Sequence, residues 1–199
     1  MKMQLKIIWE EALSLISIKM NKDLMREIEV PEGVNIEVSG NEFIVKGNGK
    51  EGKKTFDLGK IKAEVKDGKV VLSSKGATRR ESKMIGTTWA HLKNMIKGVG
   101  EDFVYELEVC NVHFPMNVKL DGDKVTIKSF LGETTERTSK VLPNVKVDIK
   151  GTNITVSSHD IEAAGQTAAN LEKATRLTGR DRRIFQDGIF ITKKPYRTI

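Results

Sequence analysis

The segment EVKDGKVVLSS, Glu64–Ser74, returns 84 residues later as DIKGTNITVSS, Asp148–Ser158. A second echo lies upstream, where IEVSGNEFIVKG, Ile36–Gly47, is answered at a spacing of 82 by KLDGDKVTIKS, Lys119–Ser129. Each piece alternates Val or Ile with polar residues on both sides of a turn, the pattern of a two-stranded hairpin. The turns carry Asp67-Gly68 in the first copy and Gly151-Thr152-Asn153 in the second, residue types that accept positive φ. A chain that repeats its hairpins in order has to fold as two related units.

Downstream of each pair of hairpins the period changes. In TRRESKMIGTTWAHLKNMIKG, Thr78 and Glu81 form a capping box and Gly98 is the expected stop. Ile85, Trp89, Leu92 and Ile96 recur at helical spacing, which assigns them, Trp89 included, to a face lying over a sheet. In SHDIEAAGQTAANLEKATRLTG the corresponding face is Ile161, Ala164, Ala168, Leu171 and Thr175, with Gly179 as the stop. Its small residues predict a closer approach of helix to sheet. Gly86 and Gly165 stand 79 apart, so about five residues are missing between the second hairpin and its helix. The expected fold class is α+β: two tandem repeats, each an antiparallel sheet with one helix packed on a face. The boundaries read as an extension over residues 1–24, a first repeat over 25–100 and a second over 101–199, with the seam in Gly98–Asp102.

The extension joins neither repeat, and Met20 and Met25 offer starts beyond most of it. Its apolar run Ile7–Ile18 is broken by Glu10 and Glu11 and is too short to span a bilayer, so no membrane partner is expected. With 38% hydrophobic but only 6% aromatic residues, the cores have to be built mostly of Val, Ile and Leu. The sole cysteine, Cys110, excludes an internal disulfide and any cysteine-built metal site, and its apolar setting YELEVCNVHF reads as a buried small hydrophobe in a reducing compartment. His91, His113 and His159 have no paired spacing, and no HExxH, GxSxG or GxxxxGK[ST] run occurs. The sequence nominates no catalytic centre, cofactor, metal or small-molecule substrate.

Charge is the informative part of the composition. The chain carries +7, and its last 27 residues hold eight basic groups against Asp181 and Asp187, a local balance of +6. Such asymmetry points to a polyanionic partner. Its centre is GRDRRIFQDG, Gly179–Gly188, where Arg180, Arg182 and Arg183 crowd one another. Arginine's planar fork bridges two phosphate oxygens or stacks on a base, and the two glycines let the backbone turn towards a ribose-phosphate chain. Asp181 and Asp187 are expected to pair with the arginines and set their directions. Phe185 is expected to plug the edge of the second core beside Ile184 in preference to stacking on a base. A second basic cluster, Lys75, Arg79, Arg80 and Lys83, opens the first helix, where the dipole disfavours cations. It requires either an RNA phosphate or pairing with Glu81. Gln166 and Asn170, one helical turn apart, can reach backbone groups or RNA 2′-hydroxyls.

REIEVPEGVNIEV, GQTAANLEKATR and above all RDRRIFQDGIFITKKP resemble the archaeal and eukaryotic branch of the large-subunit ribosomal protein L-six family, in order and spacing, from Met25 to Pro195. The resemblance implies two tandem α+β domains and a structural, non-enzymatic role in the cytoplasmic ribosome. It implies binding to large-subunit, 23S-type rRNA near the stalk base and the factor-binding region, beside neighbouring ribosomal proteins. It places much of the rRNA contact in the second domain. The residues so implied are Gln166, Asn170, Lys173, Arg176, Arg180, Arg182, Arg183, Gln186, Gly188, Lys193 and Lys194. The residues before Met25 have no counterpart in the family pattern. The alternative from another class is a tandem protein-interaction module whose basic tail docks on an acidic partner.

Overall fold

A computed structural model describes residues 22–31, 33–66 and 68–198. Asp67 of the first hairpin turn and residues 1–21 of the extension lie outside them. The chain divides into two compact units between Val99 and Gly100.

The first unit runs β1 (Lys22–Glu29), β2 (Asn35–Ser39), β3 (Glu42–Gly47), β4 (Lys50–Thr55), β5 (Lys62–Lys66), β6 (Lys69–Ala77) and α1 (Arg79–Gly100). Its strands form two antiparallel three-stranded sheets, in the orders β1-β6-β5 and β2-β3-β4. Both expected hairpins are present, with Val38 opposite Phe43 and Val65 opposite Val70. Gly40 and Gly68 hold the turns at φ 63° and 71°. Because β1 begins at Lys22, two residues that the sequence pattern leaves with the extension pair in this sheet, Lys22 opposite Ala77 and Leu24 opposite Ser74.

The capping box forms as expected: the Thr78 backbone N–H donates to Glu81 at 2.9 Å, the Thr78 hydroxyl to the same carboxylate, and the Arg80 N–H to the Thr78 hydroxyl. α1 buries Ile85, Leu92, Ile96 and Val99 in one core with Phe43, Val45, Val70 and Leu72. Each fully buried aliphatic side chain contributes on the order of 1.5–3 kcal/mol. The helix runs two residues past Gly98, since Gly98 and Val99 are both buried and give the last turn a packing anchor. Trp89 corrects the sequence reading. It is half-buried at the core's margin, its indole N–H donating to the Glu27 carbonyl at 3.1 Å and its ring lying under the cations of Lys93 and Arg26.

The second unit repeats this plan with β7 (Phe103–Cys110), β8 (Asn117–Asp121), β9 (Lys124–Lys128), β10 (Arg137–Lys140), β11 (Lys146–Lys150), β12 (Asn153–Ser158) and α2 (Ile161–Ala174). It then adds β13 (Gly188–Lys194) and β14 (Arg197–Thr198). The sheets are β10-β9-β8 and β11-β12-β7-β13-β14. Their hairpins again follow the sequence pattern, with Gly122 and Gly151 at positive φ. Asp160 caps α2 by accepting the Glu162 N–H at 2.9 Å. Ala164, Thr167, Ala168 and Leu171 are buried on the sheet side, and a Cβ at Gly165 would stand 2.9 Å from the Tyr105 hydroxyl. The close approach expected from small residues is therefore real. The helix stops at Ala174, well before Gly179, for a reason supplied by another part of the unit.

Candidate nucleic-acid interface

That reason is Arg137. Its Nη1 donates to the carbonyls of Ala174 at 3.0 Å and Arg176 at 3.3 Å, meeting the oxygens that a helix end leaves without partners. Its Nε and Nη2 take the Glu133 carboxylate at 2.8 and 2.7 Å, and its guanidinium lies 4.3 Å from the centre of the Phe130 ring. The hydrogen bond from Arg137 holds the Glu133 carboxyl below its usual range. Sequence reasoning missed this residue. The Glu133–Arg137 spacing of four was its one visible signal.

The chain from Arg176 to Gly188 is then a loop tied at both ends. The Thr175 hydroxyl accepts the Ile189 N–H at 2.9 Å and donates to the Glu172 carbonyl, so the two ends of the loop meet at one side chain. Next to that staple sits Asp187, only 1% exposed. It accepts the backbone N–H groups of Val112 at 2.6 Å and His113 at 3.0 Å, and His113 Nδ1 stands 2.6 Å from its other oxygen. Burial pushes this carboxyl up, but the hydrogen bonds from His113 and Val112 outweigh it and leave it below the usual range.

This overturns one expectation. Asp187 does not pair with the arginines; it faces inward and fixes the loop to the segment after β7. Asp181 does not pair with them either. Its carboxylate accepts the Arg183 N–H at 2.9 Å and its carbonyl the N–H groups of Ile184 and Phe185, making a tight turn. Among the described residues, no carboxylate forms an ion pair with Arg180, Arg182 or Arg183, and all three are exposed. Phe185 packs against the second core as expected, with the His113 ring 5.2 Å away and the Arg180 guanidinium 5.0 Å from its centroid. Ile184 does not join it and is 63% exposed, because the Asp181 turn points the two residues apart.

The remaining residues divide. Lys173, Arg176 and Gln186 are exposed near the loop. Gly188 is buried at the start of β13, where a Cβ would come within 3.1 Å of the Phe190 ring, so its lack of a side chain serves packing. Lys193 is paired with Glu106 at 2.8 Å, and Lys194 is exposed farther along β13. Gln166 donates to Asn170 at 2.9 Å, and Asn170 donates to the Lys140 carbonyl at 3.3 Å, which is the backbone option. In the first unit Lys75, Arg79, Arg80 and Lys83 are exposed, and Glu81 is committed to Thr78 instead of the arginines. Cys110 is half-buried, and burial pushes its thiol up. Among the described residues there is no grouping of three or more His, Cys, Asp or Glu able to hold a metal ion, and no helix is long and apolar enough to cross a membrane.

The fold and the site together define a class: a duplicated α+β protein with three arginines that lack a carboxylate partner crowded on one loop of the second repeat. The model of the family described as Ribosomal protein L6 matches the chain twice, over residues 30–102 and 114–188. The Large ribosomal subunit protein uL6 of Methanobrevibacter smithii is 43% identical over 171 residues, covering 86% of this chain and 96% of the relative. That of Methanococcus vannielii is 44% identical over 171 residues, 86% and 94% of the two chains. That of Methanosarcina mazei is 42% identical over 175 residues, 88% and 99%. The chain belongs to the ribosomal protein L6 family, whose members are structural proteins and not enzymes. The resemblance drawn from the sequence and the expected α+β tandem fold both hold.

Proposed function

We propose that the chain binds large-subunit rRNA through the loop Arg176–Gly188 and the adjoining end of α2, near the base of the stalk and beside the ribosomal proteins there. As a family member it is a protein of the large subunit of the cytoplasmic ribosome. The observation that carries the rRNA reading is the combination of three exposed arginines lacking a carboxylate partner with a loop pinned underneath by Asp187, Thr175 and Arg137. Folded rRNA presents phosphates and 2′-hydroxyls to which guanidinium groups donate in pairs. A cation array held in place before binding loses little freedom on meeting them.

Arg180, Arg182 and Arg183 are the principal phosphate contacts, with Lys173, Arg176 and Gln186 flanking them. Lys194 stands at the margin, Gln166 and Asn170 act by shaping the helix edge, and Lys193 contributes least because Glu106 already neutralises it. Lys75, Arg79, Arg80 and Lys83 form a second contact on the first repeat. The test is sedimentation of the tagged full chain from its own cells. The rRNA reading expects it in the large-subunit fraction, with release by high salt. A chain found mostly free, or bound to an acidic protein in place of ribosomes, would favour the interaction-module alternative. Position is tested by tethered hydroxyl-radical cleavage from Arg182→Cys on a Cys110→Ser background, expected to cut rRNA at the stalk base.

A further inference from the structure

The arginine loop does not lie flat on the second unit. Together with the end of β7 and the end of α2 it borders a half-open cleft of about 450 Å³. Sites for small organic groups run from about 300 to 1,000 Å³. The walls are apolar: Leu177, Phe185, Phe190 and Val112, with Cys110 beside them. The cations Arg176 and Arg182 line it too, with Glu172 and Gln186 beside them. We propose that this cleft receives one unstacked nucleobase of the rRNA, its phosphate met by Arg176 and Arg182. The inference rests on the rRNA reading above and adds to it a discrete nucleotide pocket.

Three features support a base as the occupant. The Phe185 ring is fixed before any ligand arrives, with His113 at 5.2 Å and Arg180 at 5.0 Å, and His113 is itself held by the buried Asp187. The Phe190 ring, also in the lining, takes its place because Gly188 has no side chain, since a Cβ there would stand 3.1 Å from it. Phe190 nonetheless remains 37% exposed, an aromatic surface without a full partner. Aromatic walls suit the face of any base, and single-stranded or bulged RNA is recognised by bases splayed out of their stack. Two arginines beside apolar walls suit a ligand in which an apolar ring and an anion are joined, which describes a nucleotide. An acidic peptide supplies the anion but no ring to fill the apolar walls.

The experiment fills the pocket without touching the arginines. Full-length Leu177→Trp, checked for native melting, is titrated with cognate large-subunit rRNA beside the parent and the Arg180, Arg182, Arg183 triple alanine variant. The pocket predicts an affinity loss of about tenfold for Leu177→Trp, of the size that one stacked base contributes, with the salt dependence unchanged. If Leu177→Trp melts early, Phe190→Ala replaces it and is expected to weaken binding similarly. In parallel, alkylation of Cys110, the only cysteine, by iodoacetamide is expected to slow at least tenfold on rRNA binding and not with polyglutamate. Parent-like affinity of the pocket variant measured, or unchanged Cys110 reactivity in the complex, overturns the pocket while leaving the arginine reading standing. Protection by polyglutamate equal to that by rRNA also overturns it. A parent chain that fails to bind rRNA overturns both readings.

Discussion

The two repeats share a plan and differ at one edge. In the first unit β1 stands at the margin of its sheet, paired only with β6 among the described residues. Its counterpart β7 lies inside a five-stranded sheet because β13 pairs along its other side. The chain between α2 and β13 is the arginine loop, so the strand that completes the sheet is also what holds the loop's far end. The second family match stops at residue 188, where β13 begins. That match takes in the arginine loop, and the comparison teaches that the shared plan supplies a scaffold while the surface specific to the second copy lies between its helix and β13. The helices differ too: α1 packs with large side chains and α2 with alanines, and at Gly165 α2 comes close to Tyr105 of the sheet.

The sharpest way to separate the repeats is to unpin that loop. Asp187→Ala removes an acceptor that serves two backbone N–H groups and a histidine in a site closed to water. Losing hydrogen bonds to a buried charged group costs about 2–3 kcal/mol. Hydrogen exchange is expected to show that loss in residues of the second unit and none in the first. The same carboxyl gives the second unit an acid sensitivity. Its folded pKa is depressed, so its contribution is complete above the unfolded value of about 3.9 and disappears as pH falls through the lower folded value. Among the described residues the first unit buries no comparable carboxylate. Acid titration followed by NMR is expected to open the second unit with a step below about pH 4 that Asp187→Asn abolishes. An unchanged step in that variant would refute the assignment.

Arg137→Ala comes next. It leaves the carbonyls of Ala174 and Arg176 without a donor and frees Glu133, at a cost of about 1.5–2 kcal/mol by denaturant unfolding. It should also weaken rRNA binding by loosening Arg176–Gly188, although Arg137 itself is a positioning residue. The smallest pair of effects has opposite signs at matched sites. Gly86→Ala meets nothing within 4 Å in α1 and should stabilise by about 0.5–1 kcal/mol, the usual gain at a helix interior. Gly165→Ala in α2 drives a methyl to 2.9 Å from the Tyr105 hydroxyl and should give a net loss of about 1 kcal/mol. Equal signs at the two glycines would remove the claim that α2 sits closer to its sheet than α1.

The hairpins, both helices and the tandem plan were legible because each rests on local periodicity, and the repeat checked one copy against the other. Trp89 was placed too deep because spacing assigns a face but not a depth, and its indole N–H needs the Glu27 carbonyl at the margin. The arginines of the candidate site were legible as charge. What supports them was not. Asp187 meets His113 across 74 residues of chain, and nothing in RDRRIFQDG distinguishes a carboxylate turned inward from one paired with its neighbours. Arg137 acts across 37 residues on the end of a helix whose stop the sequence assigned to Gly179. Interactions of that range become visible only once the sheet has brought the segments together.

The central claim is that the arginines of the second repeat's loop meet phosphate. The direct measurement is the salt dependence of binding to large-subunit rRNA for the parent chain and for the variant with Arg180, Arg182 and Arg183 all changed to alanine. The matched control changes Lys140 and Lys146, exposed residues on the strands of the same unit. Each phosphate that the protein ceases to neutralise flattens the slope of log K against log salt by roughly 0.7–0.9. The account predicts weaker binding with a slope shallower by about two for the triple variant, near-parental behaviour for the control, and an unchanged melting midpoint for the second unit. A triple variant that binds as tightly as the parent, with the same slope, would contradict it.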